Sequence, residues 1–266
     1  MPMWLCGSQL CALNYQYPDR SMQLNQGLFL RNGTCGFVLQ PDVMRTDEFS
    51  PFDKKSIRVD PLTISITVIG ARHLMKSKRG LVSPFVEIEI VGLDCDSGKF
   101  KTVTIADNGL NPVWNRASTD FDIVCPDLAL IRFVVQNEDV FGDPNFLGQA
   151  TYPVKCLRSG YRSVPLKNEH SEPLELSSLL VYIEMRNPKE EEDSEIYSDL
   201  QDLRDCQDDL TSRIHELELR GDVSSAQQYR SRLHETEQRI MQKNRERQHR
   251  KYSSRQRIVY RRTSTS

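Results

Sequence analysis

Several oxygen ligands of the kind that hold divalent cations lie close together in the segment NEDVFGDPNFLGQ. Glu138, Asp139 and Asp143 are carboxylates, Asn137 precedes them, and a separate stretch, ADNGLNPVW, offers Asp107. Calcium takes six to eight oxygen ligands, several of them carboxylates that converge from different loops. The pattern therefore indicates a candidate calcium site, and an acidic loop tip without a specific ligand is the alternative.

A small cationic cluster lies in the segment HLMKSKRG. Lys76, Lys78 and Arg79 are close together there, and the apolar residues Leu81 and Val82 follow directly. Cations beside apolar residues at a domain tip suit an anionic membrane surface, to which each cation contributes roughly 1 kcal/mol. We expect these five residues to be membrane-binding, with ordinary solvated lysines on a loop as the alternative.

Tyr197 stands in the acidic run EEDSEIYSDL, a context that tyrosine kinases favour, and is a candidate phosphorylation site. A chance acidic neighbourhood is the alternative. The five histidines are dispersed without ligand spacing. The seven cysteines are scattered and include no CxxC pair, which favours a reducing, intracellular compartment over a disulfide framework or a zinc site.

The elements that position these residues change character along the chain. From 62 to 186 the sequence predicts eight short strands separated by turn signals such as Asn108-Gly109 and Asn111-Pro112. The predicted strands are Leu62–Gly70, Phe85–Val91, Lys101–Ile105, Thr119–Val124, Ala129–Gln136, Leu147–Pro153, Tyr161–Pro165 and Ser178–Met185. Eight strands in about 125 residues are typical of an antiparallel β-sandwich, with a closed barrel as the alternative.

Residues 1–48 have a different pattern. Two apolar runs, 8–16 and 34–39, flank a helical stretch at 22–30, which predicts a strand, a helix and a strand. Near-continuous apolar strands are typical of a parallel sheet that is covered on both faces, and two strands alone cannot bury both faces. We therefore expect 1–48 to be interior sequence of a larger protein, and 49–61 to be a polar linker.

The end of the chain is rich in charged helix formers. Ten acidic residues lie between 189 and 210, and ten basic residues lie between 239 and 262. An apolar seam (Leu203, Leu210, Ile214, Leu217, Ala226, Tyr229, Leu233, Ile240) and the helix-breaking Gly221-Asp222 predict a helical hairpin over 188–250, with one continuous coiled coil as the alternative. Partner binding or self-association through 195–245 and a disordered basic tail over 251–266 are expected.

Three motifs in combination resemble a known family. LVSPFVEIE, NGLNPVW and NEDVFGDPNFLGQ are similar to the loop-flanking motifs of C2 domains. With WLCGSQLCALNYQ, MQLNQG and NGTCGFVLQPDVMR before them, residues 1–187 resemble the end of the catalytic Y region and the C2 domain of a phosphoinositide-specific phospholipase C, most like the gamma type. No familiar counterpart is recognised for 188–266.

This resemblance implies a multidomain α+β protein: the last strands of a (β/α)₈ barrel, an eight-stranded C2 sandwich over 62–187, and the helical hairpin or coiled coil. It also implies a calcium-ligand set at the Leu81 carbonyl, Ser83, Asp107, Asn137, Glu138 and Asp139. Calcium-binding members carry aspartates where Ser83 and Asn137 stand, so we expect weak calcium binding. The family's catalytic residues would lie upstream of Met1, and this chain has no catalytic residue of its own.

The resemblance further implies the place and partners of the protein. The expected partners are an anionic phospholipid membrane and the missing N-terminal catalytic half, and the expected place is the cytoplasm, peripheral at the inner face of the plasma membrane. A non-enzymatic C2 adaptor with a helical tail is the alternative function. Nucleic-acid binding through the basic tail ranks low, because the aromatic and groove-reading elements that would accompany it are missing.

Overall fold

The computed structural model describes residues 2–54, 57, 59–74, 82–138, 144–188, 194–220 and 222–263. The chain divides into two compact units, Met1–Asn187 and Pro188–Ser266. The first unit is a β-sandwich that carries the N-terminal helices, and the second is a pair of helices. No helix in the described ranges is long and apolar enough to cross a membrane.

The described part of the first unit contains eight strands, and seven of them coincide with predicted strands. They are β1 (Leu62–Arg72), β2 (Pro84–Val91), β3 (Gly98–Lys101), β4 (Val113–Ile123), β5 (Leu130–Asn137), β6 (Asn145–Pro153), β7 (Gly160–Lys167) and β8 (Pro173–Arg186). The strand pairs are antiparallel in the order β3-β2-β5-β6-β7-β8-β1-β4. No pairing joins β3 to β4 within the described residues, so the sheet is not a closed barrel.

The two halves of this sheet face each other across one core. Alternate residues of β1 and β8 in one half, and of β2 and β5 in the other, are fully buried in a single cluster, as the two-residue period of a strand requires. The cluster includes Ile64, Ile66, Val86, Ile88, Ile131, Phe133, Val181 and Ile183. This packing makes the fold a sandwich.

The third strand lies earlier in the chain than predicted, because its regular ladder with β2 runs from Gly98 to Lys101 and irregular hydrogen bonding replaces the ladder after that point. Lys101–Ile105 was the expected strand, whereas β3 ends at Lys101. The N–H of Val86 donates to the side-chain hydroxyl of Thr102 at 3.0 Å instead of to a backbone carbonyl. The following residues stay beside β2, since the N–H of Thr102 donates to the carbonyl of Val86 at 2.9 Å and the N–H of Ile105 donates to that of Pro84 at 3.0 Å.

The N-terminal region forms helices but not the two strands expected at 8–16 and 34–39. Helix α1 spans Pro2–Leu5 and helix α2 spans Arg20–Phe29, close to the predicted 22–30. Asp19 caps α2 by accepting from the N–H of Met22 at 2.8 Å. Both strand predictions are wrong for this structure because a strand needs a neighbouring ladder, and the described residues offer none beside either run.

The N-terminal helices pack on the sandwich. Leu24 of α2 is buried against Val91 and Leu130, with Trp4 and Leu28 at the edge of this cluster. Phe49, Ile57 and Val59, from the segment expected to be a polar linker, pack against a second cluster (Leu5, Leu93, Cys125 and Leu128). The apolar surface of this region therefore finds its partner on the sandwich.

The second unit is an antiparallel pair of helices, α3 (Ser194–Leu219) and α4 (Val223–Thr263). Two ion pairs join the helices. Glu218 contacts Arg230 at 2.5 Å close to the connection between α3 and α4, and Asp199 contacts Lys243 at 2.7 Å farther from that connection. Asp222 caps α4, and the hydrogen bonds it receives from Ser225 and Ser224 lower its pKa. The structure therefore has the hairpin rather than one continuous helix.

The seam of the hairpin includes the expected residues and extends beyond them. Ile214, Leu217 and Ala226 are buried, and the other five seam residues are partly buried. Ile196 and Leu200, outside the predicted seam, are also buried. Helix α4 continues to Thr263, past residue 250 where disorder was expected, because this stretch contains neither Gly nor Pro and many good helix formers.

Candidate functional site

The loops that carry the predicted site meet at one end of the sandwich. They connect β1 to β2 (residues 73–83), β3 to β4 (102–112) and β5 to β6 (138–144). The first two loops are joined by backbone hydrogen bonds from the N–H of His73 to the carbonyl of Leu110 at 2.8 Å, and from Leu74 to Gly109 at 2.9 Å. Pro84 and Asn137 are paired neighbours in β2 and β5, so Glu138, the described start of the third loop, lies beside Ser83, the described end of the first.

Ser83 connects all three loops. Its backbone N–H donates to the side-chain oxygen of Asn137 at 2.7 Å, and its carbonyl accepts from the N–H of Glu138 at 2.9 Å. Its hydroxyl accepts from the N–H of Asp107 at 3.1 Å and lies 3.5 Å from that residue's carboxylate. The structure thus brings together four of the six residues of the implied ligand set.

These four residues do not by themselves make a calcium site. Asn137 is 3% exposed, and its side-chain oxygen already accepts the Ser83 N–H. The described carboxylates here are Asp107 and Glu138, both exposed, and the part of the chain that the structure describes holds no group of three or more His, Cys, Asp or Glu suited to a metal. Calcium requires more oxygens than this. Asp139 and the Leu81 carbonyl lie outside the described residues.

The predicted membrane-binding residues lie mainly outside the described residues as well: Lys76, Lys78, Arg79 and Leu81. Val82 is described, and it is a core residue at 8% exposure rather than a side chain presented to a membrane. It packs so closely on Gly109 that a Cβ there would lie 2.7 Å from the Cβ of Val82. Leu110 and Val103, which the sequence did not single out, are exposed apolar side chains of the adjacent loop, at 60% and 70%.

Tyr197 lies in the first turn of α3, and its side chain is 8% exposed. The guanidinium carbon of Arg247 from α4 lies over its ring, 5.8 Å from the centroid. A kinase needs an extended and accessible segment, so phosphorylation of this tyrosine would require the helix pair to open locally.

A second group of charged residues, missed by the sequence reasoning, joins α2 to the sandwich. Arg20 makes two hydrogen bonds to the carboxylate of Glu89, at 2.7 and 3.1 Å, and Arg132 approaches the same carboxylate at 3.3 Å. The side-chain oxygen of Gln23 accepts from Arg132 at 3.0 and 2.7 Å. Strand alternation indicates that Glu89 faces away from the core, but it does not reveal these partners.

The charge of Glu89 is stabilised in this setting. Burial alone raises the pKa of the Glu89 carboxyl, but the hydrogen bonds and charge of Arg20, with the charges of Lys99 and Arg132, outweigh it and hold the pKa below its ordinary value. Burial lowers the pKa of Arg132. The group is therefore ionised at neutral pH and fixes α2 on β2 and β5.

Close packing supports the same attachment. A Cβ added to Gly27 of α2 would lie 2.4 Å from Cγ2 of Thr151 in β6, closer than real Cβ contacts allow. Helix α2 therefore sits directly on the strand, and the small residue at this position permits the approach. The attachment of the N-terminal region to the sandwich combines ionic and steric complementarity.

Comparisons with known proteins match the N-terminal region and the sandwich to two different domain families. Residues 1–43 match the phosphatidylinositol-specific phospholipase C Y domain, and residues 62–169 match the C2 domain. The chain is 50% identical over 214 residues to 1-phosphatidylinositol 4,5-bisphosphate phosphodiesterase gamma-2 of Rattus norvegicus, covering 80% of this chain and 17% of that protein. It is also 40% identical over 192 residues to a Mus musculus protein named inactive phospholipase C-like protein 2 (69% of this chain, 17% of that one).

A solved structure agrees with these relationships. The crystal structure of S. officinalis PLC21 matches with a TM-score of 0.63 and 37% identity, over 70% of this chain and 24% of that one. The chain thus spans about a sixth of the length of the curated relatives above. The gamma-2 match covers 214 residues and the first unit ends at Asn187, so the similarity extends into 188–266, where no counterpart was expected.

Proposed function

We propose that this chain, which carries the end of a phosphatidylinositol-specific phospholipase C Y domain followed by a C2 domain and is homologous to the gamma-type enzymes, supplies the scaffold and membrane-docking part of such an enzyme. In this proposal the complete protein hydrolyses phosphatidylinositol 4,5-bisphosphate to inositol trisphosphate and diacylglycerol in intracellular signalling. The segment at 1–48 contributes the last part of a (β/α)₈ barrel whose strands lie in the catalytic half.

The attachment of α2 to the sandwich is the observation that carries this proposal. Helix α2 lies within the Y-domain match, and Glu89 and Arg132 lie within the C2 match. The ion pairs at 2.7 and 3.3 Å and the packing of Gly27 on Thr151 join the two rigidly. A membrane that binds the sandwich would therefore also set the position of the catalytic region.

In this proposal, membrane docking depends on basic side chains more than on bound calcium. Lys76, Lys78 and Arg79 attract anionic lipid without a metal. The Ser83 hydrogen bonds join the three loops without an ion, and the described carboxylates are too few for tight calcium binding. We expect the protein to sit peripherally at the cytoplasmic face of the plasma membrane, with weak calcium dependence.

A chimaera tests this function. The chain would replace the matching C-terminal part of the rat gamma-2 relative, and release of inositol phosphates from phosphoinositide vesicles would be measured. We expect turnover from the chimaera and none from the chain alone, because the chain lacks the family's catalytic residues. A Glu89→Gln chimaera should lose activity while vesicle binding is retained, and Glu87→Gln on the same strand is the matched control.

A non-enzymatic adaptor is the second candidate, favoured by the 40% identity to a relative whose name calls it inactive. The hairpin at 195–245 would then bind a partner or a second copy of the chain. An inactive chimaera that folds and binds vesicles would favour this candidate, and turnover by the chimaera would exclude it.

A further inference from the structure

The two halves of the sandwich separate at one place. Strands β6 and β7 pair at Gln149 and Lys167, whereas β5 and β6 pair along their whole length. From there towards Pro153 and Gly160, no ladder pairing joins β6 and β7 in the described ranges. A cleft of about 320 Å³ opens between the diverging strands.

The floor of this cleft is the hydrophobic core itself. Phe133, Val164 and Ile183 line it and are buried, and Tyr152 and Leu157 line it and are partly buried. These side chains come from both halves of the sheet, so the cleft runs between the two layers. Phe133 and Ile183 are 0% and 1% exposed and form a closed floor, so the apolar contacts open to an alkyl chain are those of Tyr152 and Leu157 above it.

The mouth of the cleft is cationic. Arg158 and Arg162 line it together with Cys156 and Ser163, all four exposed. Arg162 donates to the carbonyls of Arg158 at 3.1 Å, Ser159 at 2.6 Å and Tyr161 at 3.2 Å, so it shapes the rim and keeps its charge there. Among the residues that the structure describes, no acidic residue lines the cleft.

Arg158 differs from Arg162 in the use of its side chain. Its carbonyl accepts from Arg162, but no described residue accepts a hydrogen bond from its guanidinium. The guanidinium of Arg158 can therefore bind an anion without giving up a partner within the protein.

We propose that this cleft binds a single-chain anionic amphiphile, a molecule with one alkyl chain and a carboxylate or phosphate head. The alkyl chain lies along Tyr152 and Leu157, the partly buried apolar side chains of the cleft, and the head binds Arg158. The volume is at the lower end of the range for small-molecule pockets, which suits one chain rather than two. This site is distinct from the loop tip and does not depend on the proposed function.

The test is a titration of the full chain with decanoate and with decyl phosphate, kept below the concentrations at which they aggregate. Backbone amide chemical shifts are followed by NMR. We expect saturable shifts confined to the residues of the cleft, and affinity that rises about fourfold for each added methylene as the chain lengthens from octanoate to decanoate. Acetate and inorganic phosphate at the same concentrations should leave these amides unshifted, which separates the amphiphile from a free anion.

Two variants assign the parts of the ligand. Arg158→Gln should weaken decanoate binding about tenfold, the effect of losing one charge-assisted hydrogen bond, and Arg72→Gln, exposed at the end of β1, is the matched control. Cys156→Trp should fill the mouth and abolish binding while the amide spectrum stays native. Shifts spread over the surface, equal affinity of Arg158→Gln and Arg72→Gln, or decanol binding as tightly as decanoate would overturn the proposal.

Discussion

Replacing Glu89 with Gln tests the attachment of the N-terminal region to the sandwich. The substitution preserves the shape of the side chain and removes the charge that Arg20 and Arg132 share. The Arg20 side chain is 51% exposed, so its contact with Glu89 resembles a surface ion pair and contributes about 0.5 to 1 kcal/mol. Arg132 is mostly buried, and its charged hydrogen bond contributes about 1.5 to 2 kcal/mol. We expect a loss of about 2 to 3 kcal/mol in the free energy of unfolding.

Urea unfolding followed by tryptophan fluorescence measures this loss. The two tryptophans, Trp4 beside α2 and Trp114 in the core, both belong to the sandwich unit, so the signal does not report on the hairpin. Glu87→Gln, which loses a 3.3 Å contact with the exposed Lys99, is the control and should cost at most about 0.5 kcal/mol. Arg20→Gln should fall between the two variants.

The pH dependence provides a second readout. Because the pKa of Glu89 is lower in the folded protein than its ordinary value of 4.5, its ionisation stabilises the fold above that pH. This contribution is lost as the pH falls below 4.5 through the folded-state pKa, so wild type and Glu89→Gln should converge in acid. Equal stability of the Glu89 and Glu87 variants at neutral pH, or a difference that persists in acid, would refute the reasoning.

Four further predictions concern other parts of the chain. Gly27→Ala places a Cβ 2.4 Å from Thr151 and should cost about 1 to 3 kcal/mol in urea unfolding; Gly36→Ala, with open space around it, is the control, and equal losses would contradict the packing of α2. Burial raises the pKa of Cys125 to about 12, so a thiol reagent at pH 8 should modify Cys6, Cys35, Cys95, Cys156 and Cys206 well before it; rapid labelling of Cys125 would contradict its burial. Spin labels at Leu203 and Ile240 should lie within about 20 Å in the hairpin, whereas an unbroken helix would hold them roughly 55 Å apart. Ser83→Asp, tested by vesicle sedimentation, should increase the calcium dependence of membrane docking, and a strong dependence already present in the wild type would contradict weak calcium binding.

Local patterns in the sequence were sufficient for much of the architecture. The two-residue alternation of apolar and polar residues in Leu62–Arg72 predicts a strand with one apolar face, because successive side chains point to opposite sides of a strand. The break at Gly221-Asp222 predicts the hairpin, because Asp222 can cap a new helix with its own side chain. The motifs around Pro84, Asn108 and Leu147 carry the C2 resemblance, which the family match confirms.

Part of the candidate site also followed from the sequence. The resemblance placed Ser83, Asp107, Asn137 and Glu138 together, and the structure brings them within hydrogen-bonding distance. The hydrogen bonds that these residues make to one another did not follow from the sequence. Val82 was predicted to face the membrane, but it is buried on Gly109. The sequence could not reveal this, because a single apolar residue beside a turn has no periodic pattern that indicates the direction of its side chain.

The tertiary structure alone decided how the N-terminal region is held. Apolar runs at 8–16 and 34–39 indicate strands only where a neighbouring ladder can pair with them, and pairing is a property of the neighbours rather than of the run. The contact of Arg20 with Glu89 joins residues 69 positions apart, and that of Gln23 with Arg132 joins residues 109 apart. The cleft at Arg158 likewise exists because β6 and β7 diverge after one paired position. Sequence determines which faces are apolar and where elements begin and end, whereas contacts between distant residues depend on how those faces are brought together in three dimensions.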